Sequence, residues 1–175
     1  MDPIKHAAAD AAQTGKPASS ERTEQVGKPS TVDATWAAMM IPHHQTGIQM
    51  AALAADKAST AVLRDIATRS KAEQEDDLPR LQQLIDADGK VAIPPEKQIE
   101  QMDKQDMQRL QSLDGPAFDL HWSTVVSGHH VSAIKMTEIA MAASASGAAR
   151  SLQEELRTKQ LGELGELNDV RAQLG

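Results

Sequence analysis

Residues 33–57 read DATWAAMMIPHHQTGIQMAALAADK, and residues 119–143 read DLHWSTVVSGHHVSAIKMTEIAMAA. Both contain the tetrad W-x6-H-H-x5-M. Its members are Trp36, His43, His44 and Met50 in the first stretch and Trp122, His129, His130 and Met136 in the second, each 86 residues after its counterpart. The same offset, carried along the chain without a gap, pairs Asp33 with Asp119, Ile48 with Ile134, Ala54 with Ala140, Arg64 with Arg150, Gln74 with Gln160, Leu78 with Leu164 and Leu81 with Leu167. Self-similarity at a fixed period reads as an internal duplication. Within the first stretch Trp36, Met40, His43, Gly47, Met50 and Ala54 alternate steps of four and three, the seam of a packed helix.

Working outward, Thr31 or Asp33 can cap the first helix, which is predicted to run to about Lys57. A second helix starts near Ser59 or Thr60 and continues to Asp88-Gly89 with Pro79 inside it, where a kink is expected. The stretch DGKVAIPPE breaks it. A short polar helix over about 95–113 leads to the turn Asp114-Gly115-Pro116, and two further helices are expected over about 117–145 and 148–174. At about 1.5 Å per residue the connector helix could travel back along much of a bundle. Residues 1–31 show no apolar periodicity and are expected to form a disordered arm, with His6 a bystander. Residues 32–175 form the folded domain: a first hairpin over 33–88, a connector over 89–117 and a second hairpin over 118–174.

One Phe, two Trp and no Tyr leave Ala, Leu, Ile, Val and Met to fill the core. That composition suits close helix packing far better than strands. The expected fold is all-α, a ferritin-like four-helix bundle made of two duplicated hairpins joined by a long crossover with a short helix. If the hairpins pack symmetrically, the repeated residues of the first and third long helices face each other near the middle. Trp36 and Trp122 read as core anchors, Met102 and Met107 as packing residues, and the acidic run Glu73, Glu75, Asp76, Asp77 as a solvated face.

Four of the six histidines and two of the eight methionines lie in the tetrads. Imidazole and thioether are ligands for borderline and soft metals. His43 and Met50, seven residues apart, share a helix face, and Met39 and Met40 cover the turn before His43. His44 is rotated by about 100° from His43, so the pair cannot easily point at one ion, although Met40 lies beneath His44. In the second copy Val125 and Val126 replace Met39 and Met40, leaving His121 and Met141 as compensating donors. The asymmetry implies that the first helix supplies most ligands. Pro42 and Gly128 immediately precede the two histidine pairs. Each weakens a helix interior, by about 3 and 1 kcal/mol relative to Ala, so a kink or widened turn is expected there.

A net charge of −7 and a pI near 5.3 argue against a nucleic-acid partner, since phosphate binding needs clustered Lys and Arg. No apolar run approaches the roughly 20 residues that span a bilayer, and no signal peptide is visible. The absence of cysteine reflects composition bias or suits a protein that handles copper outside the cytoplasm without oxidisable thiols. A di-iron enzyme would need Glu-x-x-His pairs, and none occurs. No C-x-x-C-H is present, so haem could only be held noncovalently. A metal-free helical interaction protein stays open on the residues.

The strings MMIPHHQTGIQMAALA (39–54) and FDLHWSTVVSGHHVSAIKMTEIA (118–140) resemble the two signature helices of the domain of unknown function 305 family, ferritin-like bundles that include CopM-like copper-binding proteins. The resemblance covers about residues 33–174. It implies binding of Cu(I), and also Ag(I) or Cu(II), in a non-enzymatic periplasmic or extracytoplasmic protein for copper tolerance or delivery, a metallochaperone or sequestering protein, with copper-transport or copper-resistance proteins as partners. Carried over by position, the implied ligands are Met39, Met40, His43, His44, Met50, His129, His130 and Met136. The family's late methionines in the second and fourth helices are replaced here by Pro79 or Leu81 and by Gly165 or Leu167.

Overall fold

A computed structural model describes residues 30–88, 99–143 and 147–174. All regular structure among them is helical: α1 (Thr31–Lys57), α2 (Ala61–Asp88), α3 (Ile99–Ser112), α4 (Gly115–Ala143) and α5 (Gly147–Leu174). The expected arm up to residue 29, His6 and most of the DGKVAIPPE break lie outside the described residues, and the arm's last two expected residues, Ser30 and Thr31, instead begin α1.

Local chemistry sets the helix ends. Ser30, one residue before the expected cap, starts α1: its hydroxyl accepts from the Asp33 N–H at 3.3 Å while the Asp33 carboxylate accepts from the Ser30 N–H at 2.9 Å. This reciprocal capping box satisfies two otherwise orphaned donors. Thr60 caps α2, its hydroxyl accepting from the Leu63 N–H at 3.4 Å. Gly115, at φ +59°, supplies the left-handed turn into α4, a conformation open to glycine without steric cost. Pro42 and Pro79 lie inside α1 and α2, and both helices run on through them.

The helices pair as two hairpins, α1 with α2 and α4 with α5, and α1 packs against α4. The α1–α4 contact is antiparallel. At one end the Trp36 indole donates to the Thr137 hydroxyl at 3.1 Å, in the middle His43 meets His129, and at the other end the Trp122 indole donates to the Met50 carbonyl at 2.9 Å. Both tryptophans are at most 1% exposed, as anchors of a core should be. The connector helix docks at one end of the bundle: Lys57 donates to the Leu110 and Gln111 carbonyls, pairs with Asp114 at 3.1 Å and lies over the Phe118 ring.

The core divides into two apolar clusters. One gathers around Trp122 with Met50, Leu63, Ile66, Phe118, Val126 and Leu167. The other gathers around Trp36 with Met40, Leu81, Leu84, Ala133, Leu152 and Leu156. On every long helix the passage from one cluster to the other crosses polar positions: His43 and His44 on α1, Ser70, Gln74 and Asp77 on α2, His129 and His130 on α4, Gln160 and Glu163 on α5. Burying polar groups is costly unless they find partners, so this layer constrains how the hairpins can meet. Close approach helps: a Cβ on Gly47 would lie 2.1 Å from Gln74 Oε1.

Candidate functional site

At the centre of the layer the His43 and His129 rings stack, with centroids 3.5 Å apart and planes 17° from parallel. His43 Nε2 lies 3.2 Å from the His129 carbonyl oxygen, which fits an Nε2–H donor, while His43 Nδ1 and His129 Nε2 are buried without a partner. Burial, reinforced by the neighbouring His44 and His130, pushes the His43 pKa down to about 3. Burial and then the other three histidines hold His129 well below its usual range. Both rings are therefore neutral near pH 7, the protonation state that can donate a lone pair to a metal.

His44 and His130 turn away from their neighbours, at ring-centroid distances of 6.4 and 6.2 Å from His43 and His129, as the rotation of adjacent helix residues requires. Each faces a carboxylate on the partner helix of its own hairpin: His44 Nε2 is 3.5 Å from Asp77 Oδ2, and His130 Nε2 is 3.0 Å from Glu163 Oε2. These contacts have the length of ion pairs but not the alignment of hydrogen bonds, and both nitrogens of both rings are buried and unpartnered in that sense. An unmet buried donor or acceptor costs about 1–3 kcal/mol. All four residues line one cavity, with Gln74, Lys159 and Gln160 among its other walls, and it has room for about one water-sized particle.

The acidic run therefore needs correction, because Asp77 is 2% exposed although Glu75 and Asp76 face solvent. Ser70, Gln74, Asp77 and Leu81 are spaced by four, three and four, a core-facing stripe that the charge of the run concealed. The 86-residue offset carried the missed signal, since it pairs Asp77 with Glu163 as it pairs Gln74 with Gln160. A search for Glu-x-x-His on one helix could not find these pairs, because histidine and carboxylate stand on different helices.

The methionines flank the histidines. Met40 is fully buried in the Trp36 cluster with Met136 packed against it, whereas Met50 belongs to the Trp122 cluster. The structure thus brings His43 to His129 and His44 and His130 to one cavity, but it places Met40 and Met50 in different clusters. Met39 is half-buried and outside both clusters. Val125 and Val126 pack on the Trp122 cluster, and so does Met107, as a packing residue should. The Met102 side chain lies outside the described residues. His121 is half-buried with Nε2 unpartnered, and the Met141 carbonyl accepts from Arg150. α4 runs through Gly128, which faces open space. Among the described residues no three His, Cys, Asp or Glu side chains converge so as to hold a metal ion.

A family model described as Domain of unknown function (DUF305) matches residues 4–85 and 33–171. No curated protein matches the chain. Among solved structures, a protein of that family from Streptomyces coelicolor, described as secreted, is similar at 20% identity with a TM-score of 0.71, covering 82% of this chain and 94% of its own. CopM in a Cu(I)-bound form is similar at 21% identity and a TM-score of 0.69, covering 81% and 96%. CopM in an Ag-bound form obtained by soaking has the same identity and TM-score, covering 81% and 95%. At these identities the likeness establishes a shared helical bundle. No described helix is long and apolar enough to cross a membrane.

Proposed function

We propose that this chain, which belongs to the DUF305 family, binds soft metal ions, Cu(I) foremost and also Ag(I) or Cu(II), through methionine and histidine side chains. It acts outside the cytoplasm as a metallochaperone or sequestering protein rather than as an enzyme. The carrying observation is the neutral, stacked pair of His43 and His129, buried between two clusters that each contribute thioethers. Cu(I) and Ag(I) favour thioether and imidazole donors, and two or three such groups suffice for them. The candidate ligands are Met39, Met40, His43, His44, Met50, His129, His130 and Met136. Support comes from the similar bundle of CopM, solved in Ag, Cu(I) and Cu(II) forms. The lack of cysteine, and the relative described as secreted, fit a site outside the cytoplasm built without oxidisable thiols.

A metal-free scaffold is the second reading. It is favoured by the hydrogen bond that engages His43 with the His129 carbonyl, since stacking and this bond could be purely structural. Titration with Cu(I) and Ag(I) against a competing chelator separates the two. Stoichiometric capture that weakens on His43→Ala is expected, and failure to compete with the chelator for either ion would overturn the soft-metal reading.

A further inference from the structure

A charged seam between α2 and α5 covers the cavity that His44 and His130 share. Every residue lining that cavity is matched by another lining residue 86 positions along the chain, so both hairpins build it alike. Two of the matches differ in kind: Ser70 is matched by Leu156, and Glu73 by Lys159. His44 and His130 form the deep side, at most 1% exposed, with both nitrogens of each ring buried and without a hydrogen-bond partner. Glu73 and Lys159 are half-buried and mark the side towards solvent.

Lys159 covers a carboxylate that solvent barely reaches. Its side chain is 30% exposed and its ammonium lies 3.6 Å from Asp77, whose side chain is 3% exposed, and 2.9 Å from Glu155. Arg80 meets the same two carboxylates, Asp77 at 3.2 Å and Glu155 at 2.6 Å. The four side chains make a closed ring of alternating charge, with Asp77 and Arg80 from α2 and Glu155 and Lys159 from α5, which ties one hairpin to the other beside the cavity. Hydrogen bonds from Arg80 and then Lys159 pull the Glu155 carboxyl down to about 2, so Glu155 stays charged near neutral pH. Such partly exposed pairs hold weakly and yield to salt. The α1–α4 contact, by contrast, is fastened by the buried indole bonds of Trp36 and Trp122. Opening is therefore easiest on the α2–α5 side, and an exposed side chain needs only a rotamer change to move.

We propose that Lys159 is a gate: its ammonium, latched by the charge ring, closes the cavity, and its release opens a path for small cations from solvent to His44 and His130. The three carboxyl side chains of the lining, Glu73, Asp77 and Glu163, draw cations to that path once the ammonium leaves. The proposal rests on the soft-metal reading only for its cargo, and the opening itself is measured without metal.

Diethylpyrocarbonate, which acylates neutral imidazole, is added to the folded full chain near pH 7. The labelling rate of each histidine is read by peptide mass spectrometry against free N-acetylhistidine in the same salt. Raising sodium nitrate from about 0.01 to about 1 M shortens the screening length from about 30 to about 3 Å. It should speed labelling of His44 and His130 by about two- to fivefold, the size of effect that a partly exposed pair carries. Lys159→Ala should speed both by about fivefold or more at low salt and flatten the salt dependence. Circular dichroism and urea melts establish that each sample is folded. Rates no higher than the globally unfolded fraction allows would overturn the gate, as would unchanged rates in folded Lys159→Ala. If that variant does not fold, the salt series of the parent chain decides: labelling that ignores salt overturns the gate. Ag(I) added first should protect His44 and His130 of the parent chain. Ag(I) bound without protecting them would overturn cation entry by this path. A parent chain that binds no Ag(I) would instead overturn the soft-metal reading, with the gate still decided by its labelling rates.

Discussion

Asp119 stands on α4 yet holds the α1–α2 turn that leads into α2, and its removal measures how firmly one hairpin holds the other. Its fully buried carboxylate accepts from the Ser59 N–H at 2.9 Å, the Thr60 N–H at 3.3 Å and the Ser59 hydroxyl at 2.5 Å. Asp119→Ala deletes hydrogen bonds to a charged acceptor, worth about 1.5–3 kcal/mol, and an anion beside a helix N-terminus worth about 0.3–1 kcal/mol, up to about 2 when partly buried. Two effects moderate the loss: the buried carboxylate no longer has to be desolvated, and Ser59 is exposed and Thr60 half-exposed, so water can reach the freed donors. The net expectation is about 2–3 kcal/mol. At about 2–4 °C per kcal/mol for a chain of this size, that is a drop in Tm of about 5–10 °C. Asp119→Asn keeps one acceptor oxygen and should cost about 1 kcal/mol. Thermal and urea unfolding followed by circular dichroism measure both, with an unchanged urea slope indicating that the same surface is exposed. An alanine variant within about 0.5 kcal/mol of the parent would refute the claim that this contact joins the hairpins.

The double change Met39→Leu with Met40→Leu should weaken Cu(I) binding in chelator competition far more than Val125→Leu. It should cost under about 1.5 kcal/mol of stability in melts, because Met to Leu conserves volume; undiminished Cu(I) affinity would place the ligands elsewhere. Acid should destabilise the metal-free protein. The depressed pKa values of His43 and His129 mean that below the ordinary histidine value of about 6.5 the unfolded chain takes up protons that the folded one refuses. Stability is complete above that value and falls below it by up to about 1.4 kcal/mol per pH unit for His43, down to about pH 3, with His129 adding a loss in the same direction. Melts at pH 7 and 5 should differ by several degrees, and His43→Leu should flatten that difference; equal melts at the two pH values would contradict the neutral stack. Gly47→Ala forces the Gln74 amide aside and breaks its 3.0 Å bond to the Ser70 hydroxyl. Its net cost, after about 1 kcal/mol of recovered helix propensity, should be about 1 kcal/mol in urea unfolding, and a stabilised variant would show that the polar layer tolerates rearrangement.

The sequence alone determined the helices and their partition. The apolar period, the scarcity of aromatic residues, the breakers near Asp88 and Asp114 and the repeated tetrad placed all four long helices within about two residues of their observed described ends. They also pointed to His43, His44, His129 and His130 as the residues to follow. These are local properties, written in spacing and composition, and helix propensity and periodicity read them directly. The cap of α1 fell one residue early at Ser30 because a capping box is decided by reciprocal bonds rather than by residue type. Only the tertiary structure decided what each histidine faces. His43 stacks on His129 because α1 and α4 cross antiparallel at that height, and His44 meets Asp77 because α2 presents its 70–74–77 stripe there. It also set Met40 and Met50 in opposite clusters and buried Asp77 inside a run that reads as solvated. A period of 3.6 residues says which side of a helix is inward, but the rotation and crossing of packed helices choose which other side it meets.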